Sequence, residues 1–400
     1  MKIYKNLIQA FCESTYQSQF NIGIVGKHDT QLICAADFYH SVKNVLYSIQ
    51  KRGIGKKDKL IFQTNRLDDY LYLFWACILG GIVPVLLSPI MTDRDKEKLY
   101  AIWKKMGYCY IVSDNNINKV FGEYVEKKSG KQNIHKIIEI QKLYGNECEG
   151  DIAEVEEKDV VLIQYSSGST GDPKGIVITH ENLLCDLWGI IKCQDISSKD
   201  IFFSWLPLSH NLGLIVMHVL PLIMQSTHYI MPKEIFAYNP KRYLECIENY
   251  SVTISASPNF GLKYIVELLK HTSKAWNLSN IRFIWNGAEP IDPMICDLFC
   301  EKMAAFGFKG TIVAGYGLAE ATVVVTVMNS SDQHRYLYIN REDLYIGNKI
   351  VEGREGKGSL AFVELGTPIP GCKLRISDNK DSDLGKFRIG YIQVVVSSNL

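Results

Sequence analysis

The chain has 400 residues, 47% of them hydrophobic and 22% charged, and its 44 basic and 43 acidic side chains nearly cancel. That length exceeds the usual single domain, so one large α/β body built of subdomains, or two domains, is expected. With so little net charge and no basic run, nothing steers the chain toward nucleic acid or an anionic membrane.

From Met1 to Cys12, Lys and Gln interrupt the apolar residues, so no secretory leader is read there. Phe38, Val42, Val45, Leu46 and Ile49 recur at helical spacing, and Leu60 to Phe62 reads as a buried strand. The alternation continues through Tyr70 to Leu79, Ile82 to Leu87, Asp93 to Met106 and Tyr108 to Val112. Stacked βαβ units with a largely parallel sheet and right-handed connections follow from it. Asp114 to Lys158 reads as a polar, loop-rich stretch, and a subdomain boundary is set there, dividing 1–158 from 159–327. Two strands, Val160 to Tyr165 and Gly175 to Thr179, flank a polar loop. Beyond them VTISAS (252–257), IRFIW (281–285) and TIVAG (311–315) alternate with helical patterns at 240–250, 259–271 and 291–306. From Met328 the pattern shifts to short apolar stretches and the turn-rich VEGREGKGS, which makes 328–400 a small β-rich subdomain.

The eleven cysteines form no C-x-x-C pair, and Cys296 and Cys300, four apart, read as two buried helix residues. An odd cysteine count without a leader fits the cytoplasm. The longest apolar tract, Leu212 to Met224, is broken by His218 and Pro221 and falls short of the roughly 20 residues of a membrane span.

The informative stretch is SSGSTGDPKG. Gly168 and Gly171 free the backbone to turn N–H groups inward, Ser166, Ser167, Ser169 and Thr170 add hydroxyl donors, and Lys174 adds a cation. This composition suits a polyphosphate. It is not a Walker loop, because Lys174 follows Pro173 and precedes Gly175 where that motif needs Gly-Lys-Ser/Thr, and the loop runs into a strand instead of a helix. With no helix dipole aimed at the anion, the side chains carry more of its stabilisation. An empty hairpin loop is the plainer alternative. Elsewhere an isolated Asn286-Gly287 reads equally as a hairpin turn, a lone His210 as structural, Tyr316 as core and Glu320 as a surface acid. The apolar residues Leu212, Leu214, Ile215 and Met217 suit either a tunnel for an alkyl chain or the core.

SSGSTGDPKGIVITHENL resembles the phosphate loop of the adenylate-forming superfamily, which includes acyl-CoA synthetases, peptide-synthetase adenylation domains and luciferases. SWLPLSHNLGL (204–214), WNGAEPI (285–291), YGLAEAT (316–322) and LGTPIPG (365–371) recur in that family's order, and SWLPL-x-H with GLAEAT is most similar to the fatty acyl-AMP ligases. The resemblance implies the large N-terminal domain of such an enzyme. Ser166 to Lys174 would hold the β- and γ-phosphates of ATP, Asn286, Gly287, Ala288 and Glu289 would line the adenine, and Tyr316 between Gly315 and Gly317 would lie against its ring. Glu320 would coordinate Mg²⁺ on the phosphates, with Thr322 beside it, and His210 would sit near the acyl carboxylate. Ala319 stands where many members carry Thr, a departure shared with the fatty acyl-AMP ligases.

The implied reaction joins a carboxylic acid, in this subfamily a fatty acid, to AMP with release of pyrophosphate, for transfer to an acyl carrier protein. Segment 328–360 falls where these ligases carry extra residues that disfavour coenzyme A. Members also continue for about 150 to 200 residues, the scale of one further domain. They include, after the LGTPIPG motif, a second T-G-D segment, distinct from Thr170-Gly171-Asp172 of the loop, and a lysine, neither of which is read here, so a large N-terminal part without the C-terminal lid domain is expected. The competing readings are an acyl- or aryl-CoA ligase and a non-catalytic nucleotide or acyl-adenylate binding module. A P-loop kinase comes last, since no Ser or Thr follows Lys174 to hold Mg²⁺.

Overall fold

A computed structural model of the chain describes residues 4–16, 18–131, 133–166, 173–270 and 274–396. They divide into two compact units: Met1–Ile24, Gln31–Leu184 and Leu208–His210 form one, and Val25–Thr30, Cys185–Pro207 and Asn211–Leu400 the other. The described elements begin with helix α1 (Leu7–Thr15), strands β1 (Asn21–Val25) and β2 (Thr30–Cys34), and helix α2 (Ala35–Gln50).

The first unit is built on β3 (Lys59–Gln63), β4 (Val83–Leu86), β5 (Tyr110–Ser113), β6 (Ile137–Glu139), β7 (Val160–Ser166) and β8 (Lys174–Thr179), in spatial order β6-β5-β3-β4-β7-β8. All neighbours pair in parallel except β7 with β8. Helices α3 (Leu67–Leu79), α4 (Asp93–Lys105) and α5 (Asn115–Ser129) connect the parallel strands. Ile61, Val85 and Ile111 from the sheet pack with Leu99, Trp103, Phe121 and Val125 from the helices in one core. Helix α4 starts with a capping box between Thr92 and Asp95 and ends on Lys104 and Lys105, which favours its dipole.

Two sequence expectations are corrected here. The stretch 114–158 is not mostly loop: α5 and β6 lie in it. The Asp114 side chain accepts from Ile117 N at 3.0 Å, Ile117, Phe121 and Val125 are buried at helical spacing, and Gly130 at φ 71° ends the helix. The boundary drawn at 158/159 falls inside this unit, because β7 continues its sheet by pairing Ile163 with Val85.

The second unit contains most of α6 (His180–Gln194), then β9 (Phe202–Ser204), α7 (Leu220–Ile223), β10 (His228–Ile230), α8 (Lys233–Tyr238), α9 (Lys241–Asn249), β11 (Ile254–Ala256), α10 (Asn259–Leu269), β12 (Phe283–Asn286), α11 (Pro293–Ala304), β13 (Thr311–Tyr316) and β14 (Thr326–Val327). Further on come β15 (Tyr336–Asn340), β16 (Ser359–Val363), β17 (Thr367–Pro368), β18 (Cys372–Ser377) and β19 (Tyr391–Val396). Strands β10, β9, β11, β12 and β13 pair in parallel, and β14 and β17 extend the sheet antiparallel. Between them Ser255 Oγ accepts or donates at 2.8 Å with Tyr243 Oη and donates to Phe203 O at 2.7 Å, which satisfies the polar groups of a buried strand.

The chain is thus mixed α/β with a small antiparallel part, where β15 pairs with β16 and β18 with β19. The apolar tract 212–224 becomes a π-helix, Leu212–Val219, followed by α7. Leu214, Ile215 and Met217 are buried in it, and His218 Nδ1 meets His228 Nε2 at 2.8 Å. Gly213 is required here, since a Cβ would lie 2.4 Å from Pro207 O. Among the described residues, no helix is long and apolar enough to cross a membrane.

Candidate active site

In the first unit, the β7–β8 hairpin sets the ends of the Ser/Gly loop opposite one another, pairing Ser166 with Lys174 and Tyr165 with Gly175. Gly175 lets the Tyr165 ring lie against the opposite strand, because a Cβ there would sit 3.0 Å from the ring. Strand β7 runs parallel to β4, so the loop leaves from the carboxyl edge of the parallel sheet, where α/β folds bind ligands. The chain continues from the loop into β8 and only then into α6, so no helix N-terminus serves the loop directly. Ser167, Gly168, Ser169, Thr170 and Gly171 lie outside the described residues, as does the side chain of Ser166. Lys174 is exposed at the start of β8.

The strand-to-helix turn after β8 is fixed by Thr179 and Asn182: Thr179 Oγ1 donates to Asn182 Oδ1 at 2.9 Å, and Asn182 N donates to Thr179 Oγ1 at 3.2 Å. His180, within the same motif, accepts from Leu7 N through Nδ1 at 3.2 Å. Burial lowers its imidazole to about 4, so it is a neutral structural acceptor at pH 7. His210 is exposed, and desolvation still holds its imidazole below the ordinary 6.5.

In the second unit the remaining residues gather at the carboxyl ends of two adjacent parallel strands. Register pairs Asn286 of β12 with Ala314 of β13, so Asn286-Gly287-Ala288-Glu289 emerges beside Gly315-Tyr316-Gly317. The backbones approach closely, since a Cβ on Gly287 would lie 3.3 Å from Gly315 O. Ala288 takes φ 71°, a left-handed conformation rare for a residue with a Cβ. Asn286 donates through Nδ2 to Asn259 Oδ1 at 2.9 Å, while its Oδ1 is buried with no partner among the described residues. Asn259 also accepts from Asp292 N at 3.2 Å and donates to Pro290 O at 2.7 Å, tying the loop after Glu289 to α10.

Strands β13 and β14 form a hairpin, with Tyr316 opposite Thr326, and its tip carries Ala319, Glu320 and Thr322. Gly317 leaves no room for a side chain: a Cβ would come within 1.8 Å of Val323 O. Glu320 is exposed on the 3₁₀ turn Ala319–Ala321, and Thr322 is buried at φ 73°, ψ −73°. Asn211 donates through Nδ2 to Thr322 O at 2.9 Å, and Asp186 Oδ2 accepts from Val323 N at 3.2 Å and Val324 N at 3.1 Å. Burial raises the Asp186 carboxyl to about 8, against the two amides that pull it down.

Asp186, Asn211 and Asn259 were not singled out from sequence. Each acts on backbone groups distant along the chain, and the only visible signal was the position of Asn211 within SWLPLSHNLGL.

Among the described residues, no cluster of three or more His, Cys, Asp or Glu is placed to hold a metal. A single exposed carboxylate beside a polyphosphate suits Mg²⁺, which takes one or two carboxylates, substrate phosphates and water. Glu320 has the chemistry of that donor.

The chain matches the family model described as AMP-binding enzyme over residues 24–394. It is 32% identical over 271 residues to the medium-chain-fatty-acid–[acyl-carrier-protein] ligase TtuA of Teredinibacter turnerae, covering 67% of this chain and 41% of that protein. With JamA of Moorena producens, a medium-chain-fatty-acid–[acyl-carrier-protein] ligase, identity is 26% over 88% of this chain and 60% of that one. The chain therefore spans about half the length of the curated relatives it matches. The fold is also that of the fatty acyl-adenylate ligase from L. pneumophila, solved with acyl adenylate and pyrophosphate (TM-score 0.87, 23% identity, 99% of this chain and 69% of that one).

Proposed function

Because this chain belongs to the AMP-binding enzyme family, we propose that it carries the nucleotide- and acid-binding part of an enzyme that converts a fatty acid to its acyl-adenylate for transfer to an acyl carrier protein. The observation that carries this reading is the convergence of Asn286–Glu289 and Gly315–Thr322 on neighbouring strand ends, with the backbones in close approach at Gly287 and Gly315. The names of TtuA and JamA support a fatty acid as substrate and a carrier protein as acceptor.

A carboxylate is a poor electrophile because its leaving group would be hydroxide. Its oxygen attacks the α-phosphorus of ATP, the bond from that phosphorus to the bridging oxygen breaks, and pyrophosphate leaves with the electron pair. Negative charge accumulates, so fixed donors matter more than acid–base groups. The hydroxyls and N–H groups of 166–171 and the Lys174 ammonium bind the β- and γ-phosphates, Asn286 to Glu289 line the adenine, and Tyr316 stacks on it. Glu320 would hold Mg²⁺, which would supply neutralisation of the phosphate charge. His210, kept neutral by its lowered pKa, offers the acyl carboxylate a hydrogen bond without a full charge. We assign the protein to the cytoplasm, a reading supported by the odd count of eleven cysteines.

The test is acid-dependent exchange of labelled pyrophosphate into ATP, across acids from acetate to long-chain, with this chain and with the full product of its gene. Exchange with fatty acids that disappears in Lys174→Ala is expected. ATP binding with no exchange for any acid, in either protein, refutes the proposal and leaves a nucleotide-binding module.

A further inference from the structure

The turn that carries Glu320 is strained, and two buried side chains from elsewhere in the chain hold it. Thr322, at φ 73° and ψ −73°, is the centre of a γ-turn closed by Val323 N donating to Ala321 O at 3.0 Å. A γ-turn of positive φ is rare, and a β-branched residue at its centre is an outlier. Such local geometry persists only where the surroundings over-determine it. Here they do: Asp186 Oδ2 takes the two amides just after the turn, and Asn211 Nδ2 takes its central carbonyl. On the other flank Val325 N donates to Tyr316 O at 2.8 Å, and the Gly317 backbone lies flush against Val323.

Both side chains are buried, and neither the second carboxylate oxygen of Asp186 (Oδ1) nor the amide oxygen of Asn211 (Oδ1) has a hydrogen-bond partner among the described residues. The clamp is therefore costly to fold, the mark of a site built for more than stability. Among the described residues, no side chain pairs with the Glu320 carboxylate, so its position is set by its backbone and hence by the turn two residues on.

We propose that Asp186 and Asn211 are positioning residues that fix the strained turn at Thr322 and thereby the direction of the Glu320 carboxylate toward a phosphate-bound divalent cation. This rests on the reading of Glu320 as the Mg²⁺ ligand. Mg²⁺ tolerates little deviation from octahedral geometry, so a loosened turn weakens the metal contact more than the contacts to the base.

The experiment measures ATP affinity calorimetrically on the 400-residue chain, in EDTA and in Mg²⁺, and reads the ratio of the two dissociation constants. The wild-type chain gains affinity with Mg²⁺, and Glu320→Gln loses that gain. In Asp186→Leu and in Asn211→Ala the gain falls about tenfold, the scale of removing a supporting partner of a metal ligand, while affinity in EDTA is unchanged. Asp186→Asn, whose amide oxygen still accepts from both N–H groups, restores the gain. If Asp186→Leu does not fold, as judged by circular dichroism, Asn211→Ala carries the test with Asp186 in place. A full Mg²⁺ gain in the folded clamp variants, or equal losses with and without Mg²⁺, overturns the positioning role alone. A wild-type chain with no Mg²⁺ gain, or a gain kept by Glu320→Gln, overturns the Glu320 assignment and this inference with it.

Discussion

Replacing Asp186 by Asn should make the protein more stable, by an amount that grows with pH. In the native state the carboxyl is buried, and burial pushes it up to about 8 from an ordinary value of 3.8. Between those values the folded chain holds a proton that the unfolded chain has released, so stability falls as pH rises. Each pH unit in that window costs about 1.4 kcal/mol, and the whole interval comes to on the order of 5 kcal/mol. Asn has nothing to titrate, yet its carbonyl oxygen can accept from Val323 N and Val324 N as Asp186 Oδ2 does. Urea unfolding followed by tryptophan fluorescence at pH 5, 6, 7 and 8 should therefore show two curves that separate with pH, the wild type falling away from Asp186→Asn by roughly 1 kcal/mol or more per unit. Parallel curves, or a wild type that gains on the variant as pH rises, would refute the reasoning, because either means that the carboxyl ionises freely in the folded chain.

Acid should destabilise the protein through its buried histidines. His180 and His228 titrate at about 4 and His218 well below 6.5, so all three bind protons on unfolding, and stability is lost as pH falls from 6.5 toward 4. For His180 alone this is on the order of 3 kcal/mol, and His180→Gln, which keeps an acceptor for Leu7 N, should show a smaller drop in melting temperature between pH 7 and 4.5; an unchanged drop refutes it. Gly317→Ala should cost more than about 3 kcal/mol, because the new methyl meets the Val323 carbonyl, a backbone atom that cannot move aside; a melting temperature within a degree of wild type would count against this packing. Lys174→Ala should lower pyrophosphate exchange by about 10² or more without changing the melting temperature, since the side chain is exposed and its proposed role is with the anion; preserved exchange would remove it from the site.

The parallel strands were legible because a strand covered on both faces reads as a continuous apolar run: FIW in β12 and IVA in β13 are buried throughout. Helix α5 carried its signals too, in Asp114, Ile117, Phe121 and Gly130, but Asn and Lys between them gave the stretch the composition of a loop. The π-helix was beyond reach, since a run of apolar residues has no period that separates it from an α-helix.

At the site the difference follows the same physics. Gly317 and Asn286-Gly287 stand out through the family resemblance, and the structure gives both glycines close backbone approach, which demands small residues at one place in the sequence. The clamp on Thr322 leaves no local pattern. Asp186 on a helix and Asn211 before a π-helix reach a turn far along the chain, and their partners are amides and a carbonyl, groups that every residue possesses. A side chain that recognises another side chain restricts both, whereas one that recognises backbone restricts only itself. The strained turn thus has a sequence, Ala-Thr-Val, that asks for an extended strand, and its γ-turn exists because tertiary contacts override that local preference. Where local preference and observed geometry conflict this far, one residue from the carboxyl-bearing turn, the proposed positioning of Glu320 is the role that would account for the cost.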